Sequence, residues 1–136
     1  LGRKNQEKKD FVGKRILLAE DNDINWEIAE TILGASGFKV DRAENGKICV
    51  DTFAGSAEGY YDVILMDIRM PVMNGYEATE NIRALDRSDA TLPIIAMSAD
   101  AFAADIQHSL DSGMNEHISK PIDVDKLIRV LEKYLQ

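Results

Sequence analysis

Val63-Ile64-Leu65-Met66-Asp67 decides the fold: four apolar residues in succession close on a single acid. A strand with one face on a core alternates apolar and polar residues, whereas a strand covered on both faces is apolar throughout. Two other runs share the second character, Ile16-Leu17-Leu18-Ala19 before Glu20-Asp21 and Ile94-Ile95-Ala96-Met97 before Ser98. These three read as central strands. Phe38-Lys39-Val40-Asp41 alternates, and Glu116-His117-Ile118-Ser119 is short and mostly polar, as suits the edges of a sheet. With the first, third and fourth strands inside, the sequence predicts an α/β domain with a doubly wound, five-stranded parallel sheet of order 2-1-3-4-5.

Segments of helical spacing separate the strands and complete five βα units. Ile24, Ile28 and Ile32 form one stripe, and Val124, Leu127, Ile128, Leu131 and Leu135 another, both read as faces packed on the sheet. Trp26 falls off the first stripe and is expected to be exposed near the mouth of the site. Asp23 is the expected N-cap of the first helix, and Gly37-Phe38 its left-handed stop. The middle helices are expected near 46–54, 75–85 and 100–112, the last ended by Gly113. Cys49 falls in the second helix as a small core residue.

Composition narrows the function. The 136 residues suit one domain, 15–136, preceded by a segment (1–14) without apolar period that reads as a mobile linker or a remnant of something longer. One cysteine and two histidines exclude an internal disulfide and a structural zinc site, and fit a reducing, cytoplasmic setting. No apolar stretch has the length of a membrane span, so the domain is not expected to insert in a membrane. Residues 1–14 hold five Lys/Arg and two acids, leaving eleven basic and twenty-two acidic residues in the body. A field of that sign repels nucleic acid and attracts cations or a basic partner.

In a doubly wound sheet, ligands sit beyond the carboxyl ends of the strands. There the first strand ends in Glu20-Asp21, the third in Asp67, the fourth in Ser98 and the fifth in Lys120-Pro121. Taken singly, each has a structural reading: an acid pair or a serine can cap a helix, an aspartate can start a turn, and Lys-Pro can be any exposed turn. Taken together, three carboxylates on one rim repel, and a divalent ion removes the conflict. An all-oxygen, incomplete ligand set suits Mg²⁺, which usually shares its site with phosphate oxygens. Asp67, alone at the end of the central strand, is the expected nucleophile toward a phosphoryl group. Lys120 and Ser98 would offset or bind its oxygens.

These residues and their surroundings resemble the receiver domain of two-component response regulators and hybrid sensor kinases. The segments that carry the likeness are Ile16-Leu17-Leu18-Ala19-Glu20-Asp21-Asn22, Asp67-Ile68-Arg69-Met70-Pro71-Val72-Met73-Asn74-Gly75, Ala96-Met97-Ser98-Ala99 and Lys120-Pro121-Ile122, in that order over roughly 14–136. The resemblance implies a flavodoxin-like fold and a phosphorelay function. Asp67 would accept a phosphoryl group from a phosphohistidine on a histidine kinase dimerisation domain or a histidine phosphotransfer protein. Asp21, Asp67 and the Arg69 backbone carbonyl would bind Mg²⁺, with Glu20 acting mainly through a water, and the Lys120-Pro121 bond would be cis. Phosphorylation would draw Ser98 inward and shift the face of the fourth helix, fifth strand and fifth helix. The chain departs from the family at the switch position three before the lysine, where His117 replaces the usual Tyr or Phe. That leaves gating by burial of an aromatic ring in doubt, with a solvated edge histidine or a titrating switch as the readings. Arg69 and Asp100, each two past a site residue, are read either as a pair across the mouth that modulates phosphoryl lifetime or as two solvated charges.

Other functions fit less well. A Mg²⁺-dependent aspartyl phosphatase would want a second acid where Arg69 stands, and a flavin carrier would want a phosphate loop where Glu20-Asp21-Asn22 stands. A pseudo-receiver, an interaction module that is never phosphorylated, normally lacks a site residue. The expectation is therefore a phosphoacceptor signalling domain rather than a turnover enzyme, taken from the carboxyl end of a hybrid kinase tethered to the inner membrane face, or standing alone.

Overall fold

The computed structural model describes residues 11–99 and 102–135. Strands and helices alternate as β1 (Arg15–Ala19), α1 (Asp23–Ala35), β2 (Lys39–Ala43), α2 (Gly46–Gly55), β3 (Val63–Asp67), α3 (Gly75–Arg83), β4 (Ile94–Ser98), α4 (Ala103–Ser112), β5 (Glu116–Ser119) and α5 (Val124–Leu135). A single 3₁₀ turn, Ser88–Thr91, precedes β4. All pairings are parallel and the order is β2-β1-β3-β4-β5, as the apolar runs predict. Among the described residues no helix is long and apolar enough to cross a membrane.

Alternate residues of the central strands enter opposite cores, the expected consequence of a pleated sheet covered on both faces. Leu17, Ile64, Met66, Ile94 and Ala96 join Cys49 and Phe53 of α2 with Ala78 and Ile82 of α3. Ile16, Leu18, Val63, Leu65, Ile95, Met97 and Ile118 join Ala29 and Leu33 of α1 with Leu127 and Leu131 of α5. Cys49 is fully buried in this core, and burial pushes its thiol up to about 12, away from the thiolate form.

Five expectations are corrected. The sheet-facing stripe of α1 is Trp26, Ala29 and Leu33, while Ile24 and Ile28 are 68% and 50% exposed. Steps of four residues drift about 40° around a helix of 3.6 residues per turn, whereas steps of three and four nearly cancel, so the second stripe stays on one face. Trp26 is accordingly half-buried against the core. The N-cap of α1 is Asn22, whose side chain accepts from the Asn25 N–H at 2.9 Å, and Asp23 is the first helical residue. The segment expected to be a linker also packs at its end: Phe11 is 1% exposed and stacks on Phe38 with ring centroids 4.5 Å apart. In α5 the buried residues are Leu127 and Leu131, whereas Val124 is exposed. The middle helices end or begin one to three residues from their expected bounds, and Gly113 (φ 112°) does close α4. Gly37 (φ 102°) closes α1, with the Phe38 N–H returning to the Leu33 carbonyl.

Candidate functional site

The carboxyl ends of β1, β3, β4 and β5 bring the expected chemistry to one rim. Glu20 and Asp67 are buried at 2% and 6% exposure, and Asp21 is exposed beside them. One carboxylate oxygen from each of the three lies within 4.8 Å of the others. Lys120 reaches in from the loop after β5, its Nζ 2.8 Å from Glu20 Oε1 and 3.4 Å from Asp67 Oδ1. The Lys120-Pro121 peptide is cis. Ser98 is buried at the end of β4, its carbonyl accepting the Lys120 N–H at 2.8 Å.

Local backbone bonds fix each acid. The Glu20 N–H donates to the Ala43 carbonyl at 3.0 Å, and Glu20 Oε2 accepts the Asn22 N–H at 3.1 Å. After Asp67 the chain turns sharply into α3, and the Gly75 N–H donates to the Ile68 carbonyl at 2.8 Å. A Cβ on Gly75 would lie 2.4 Å from the Asp67 carbonyl oxygen, so only glycine lets α3 start this close to the acid. Gly46, at the start of α2, is equally constrained, its N–H donating to the Met73 carbonyl and its missing Cβ standing 2.2 Å from that oxygen. Gly75 belongs to the motif read from the sequence. The clamp by Gly46 carries no local signal, because its partner is 27 residues away.

The electrostatics are unbalanced. Burial pushes the Asp67 carboxyl up to about 7, with Lys120 opposing the rise and Glu20 adding to it. Lys120 is held above the usual lysine range: burial opposes its charge, but the two carboxylates outweigh it. Three acids around one ammonium leave an excess of negative charge in a half-dry pocket. The donor set is all oxygen and includes one exposed member through which an ion can enter, so the residues fit Mg²⁺.

The remaining expected residues fall as follows. Arg69 is exposed and, with Asp21, Asn74, Tyr76, Asp105 and His108, lines a cavity of about 490 Å³ that opens beside the cluster. Asp100, its expected partner, lies outside the described residues. His117 is half-buried rather than solvated, its Nδ1 3.0 Å from the hydroxyl of Ser109, which is itself fully buried on α4. Sequence reasoning missed Arg42 at the end of β2, which has no motif but contacts the Glu20 carbonyl.

A doubly wound sheet whose carboxyl rim gathers three acids and a lysine defines a class of domain built to handle a cation and phosphate oxygens together. Residues 16–132 match the response regulator receiver domain model, and the chain belongs to that family. It is 41% identical over 122 residues to a two-component response regulator of Oryza sativa subsp. japonica, covering 88% of this chain and 93% of that one. The receiver domain of a sensor histidine kinase from Pseudomonas aeruginosa PAO1, with magnesium coordinated in its active site cleft, is 37% identical with a TM-score of 0.81, over 90% of this chain and 98% of that one. The receiver domain of a response regulator of Saccharomyces cerevisiae, co-crystallised with a histidine phosphotransfer protein, is 29% identical with a TM-score of 0.83, over 93% and 91% of the two chains. Hybrid histidine kinases also match, and of one from Dictyostelium discoideum the chain spans 8% of the length. The chain is a receiver domain of two-component phosphorelay signalling.

Proposed function

We propose that Asp67 is the phosphoacceptor and that its donor is a phosphohistidine on a histidine kinase dimerisation domain or a histidine phosphotransfer protein. The observation that carries this reading is the three-acid cluster with Lys120 2.8 Å from Glu20 and 3.4 Å from Asp67. A carboxylate oxygen of Asp67 bonds to phosphorus as the P–N bond breaks, and the electron pair leaves with the imidazole nitrogen. Lys120, already directed at Asp67, donates to the phosphoryl oxygens, and the Ser98 hydroxyl binds another. Glu20, Asp21, Asp67 and the Arg69 backbone carbonyl are the residues that would hold Mg²⁺, which when bound offsets phosphoryl charge. The domain assists its own phosphorylation and dephosphorylation and is not otherwise a turnover enzyme.

The partner docks beside the acids. Ile24 and Ile28, freed from the sheet, stand exposed on α1, and Ile28, Asn25, Lys120, Pro121 and Ile122 line a groove of about 140 Å³. An apolar strip bordering an acidic pocket suits a helical partner with an apolar face and a basic surround. The relative seated on a histidine phosphotransfer protein supports that choice, and the matching hybrid kinases support a place in such a kinase. Output passes through α4, β5 and α5, where the His117–Ser109 contact ties β5 to α4 in place of an aromatic gate. Arg69 lines the cavity beside the cluster, and together with Asp100 it would modulate phosphoryl lifetime.

Intact-mass measurement after acetyl phosphate and Mg²⁺ tests the reading. The wild type is expected to gain one phosphoryl mass and Asp67→Asn none. No adduct on the wild type makes the domain a pseudo-receiver, and catalytic release of phosphate from small phosphomonoesters makes it a phosphatase.

A further inference from the structure

We propose that Arg42 is a positioning residue for the Glu20-Asp21 pair, holding the loop after β1 in the geometry that divalent-cation binding requires. The inference rests on reading the acid cluster as a Mg²⁺ site. Arg42 is the penultimate residue of β2, its side chain 18% exposed, and the motif quoted above includes no arginine there. Its Nε donates to the Glu20 carbonyl at 3.1 Å, its Nη2 lies 2.8 Å from Asp23 Oδ1, and its guanidinium carbon stands 5.7 Å from the Trp26 ring centroid. Glu44 approaches Nη1 at 3.9 Å.

One side chain thus spans the loop. It hydrogen-bonds the carbonyl just before Asp21 at one end and lies within ion-pair distance of the first residue of α1 at the other, with the Trp26 ring as a wall. The neighbouring Ala43 carbonyl takes the Glu20 N–H at 3.0 Å, so the end of β2 holds both backbone polar groups of Glu20. Beyond Asp21, Asn22 is fixed by its N–H to Glu20 Oε2 and by capping α1. Asp21, the exposed acid, is therefore presented by two immobilised neighbours, and Arg42 is the only one of these ties made by a long-range side chain to the backbone. A planar fork can serve two acceptors and a ring at once, which an ammonium cannot.

Charge and position act with opposite sign here. A guanidinium beside a cation site repels the cation, so if its charge were all that mattered, removing Arg42 would tighten Mg²⁺ binding. If Arg42 positions the acids, removing it loosens binding despite the lost repulsion. Mg²⁺ alone is titrated into the phosphate-free domain and followed by the backbone amide shift of Asn22 in ¹⁵N–¹H spectra, for wild type, Arg42→Lys and Arg42→Ala, with urea midpoints to confirm folding. The Kd is expected to rise about tenfold in Arg42→Ala, the equivalent of one charge-assisted hydrogen bond. Arg42→Lys, which keeps the charge and loses the fork, is expected to rise severalfold. Trp26 fluorescence should shift in both variants before any Mg²⁺ is added. Unchanged or tighter binding in Arg42→Ala, or wild-type binding in Arg42→Lys, overturns the assignment. No Mg²⁺ response in the wild type overturns the metal reading itself.

Discussion

The two rims of the sheet solve the same problem in opposite ways. At the amino end, where helices return to strands, Arg87 donates to the carbonyls of Phe53, Ala54, Ser56 and Ala57 and pairs with both oxygens of Asp89 at 2.6 and 3.0 Å. Arg83 likewise serves the carbonyls of Gly113, Ala90 and Leu92 and the side chain of Asn115. Each guanidinium there meets acceptors in number. At the carboxyl end two buried acids share one ammonium beside an exposed third acid, and burial lifts Asp67 to about 7. Matched charge holds loops together, whereas unmatched charge waits for a ligand.

That contrast fixes the sign of each substitution. Lys120→Ala removes the ammonium paired with two buried carboxylates and is expected to cost about 3 kcal/mol at neutral pH without metal, with Mg²⁺ restoring part of it. Urea unfolding with and without Mg²⁺ measures both effects, and a cost unaffected by Mg²⁺ would break the link between imbalance and binding. Arg87→Ala takes one donor from each of four carbonyls and the guanidinium from Asp89, which keeps the Gly59 N–H, and is expected to cost about 2 kcal/mol. Labelling by acetyl phosphate should stay within about twofold of wild type in the folded variant. A larger loss would mean that the two rims are coupled.

Asp67→Asn carries the reverse sign. An acid raised by burial keeps a proton in the folded chain that the unfolded chain releases, so its contribution to stability falls as pH rises from the ordinary carboxylate range to about 7. Asp89 and Glu116, pulled down by Arg87 and Lys133, act oppositely: their contribution is present above that range and is lost on acidification. The difference between Asp67→Asn and wild type isolates the first effect. Without metal it is expected to be near zero at pH 4 and about 1–2 kcal/mol in favour of the variant at pH 7.5. Urea midpoints across that range decide it, and a pH-independent difference would place the imbalance elsewhere.

The carboxyl rim was far more legible in the sequence than the amino rim, for a physical reason. Asp67 and Ser98 end their strands and Glu20, Asp21 and Lys120 lie within two residues after theirs, so predicting the strands places them together. Arg83 and Arg87 act on carbonyls up to 34 residues away, and carbonyls carry no sequence signature. Phe11 was hidden for the same reason, since its partner Phe38 lies across a whole βα unit. On α1 the difficulty was of another kind, because apolar residues occupy two faces. Only the geometry decides that Trp26, Ala29 and Leu33 serve the core, leaving Ile24 and Ile28 exposed.

The smallest expected effect lies where the carboxyl rim borrows stability from its own loop. Between Asp67 and α3 the chain makes a three-residue turn, the Met73 N–H donating to the Pro71 carbonyl at 2.7 Å around Val72. Val72 sits at φ 70°, a left-handed conformation that a β-branched side chain strongly disfavours. Its side chain is 80% exposed and has little packing to offset the strain. The turn nevertheless aims the Met73 carbonyl at the Gly46 N–H, which anchors the loop beside Asp67. Val72→Gly keeps that turn, and relief of strain should exceed the added chain entropy, for a gain of about 1 kcal/mol in urea unfolding. Phosphoryl labelling should not change, since the anchor is preserved. A lower midpoint would show that Val72 makes a contact worth more than its strain, and would move this loop from the ligand-poised rim to the matched one.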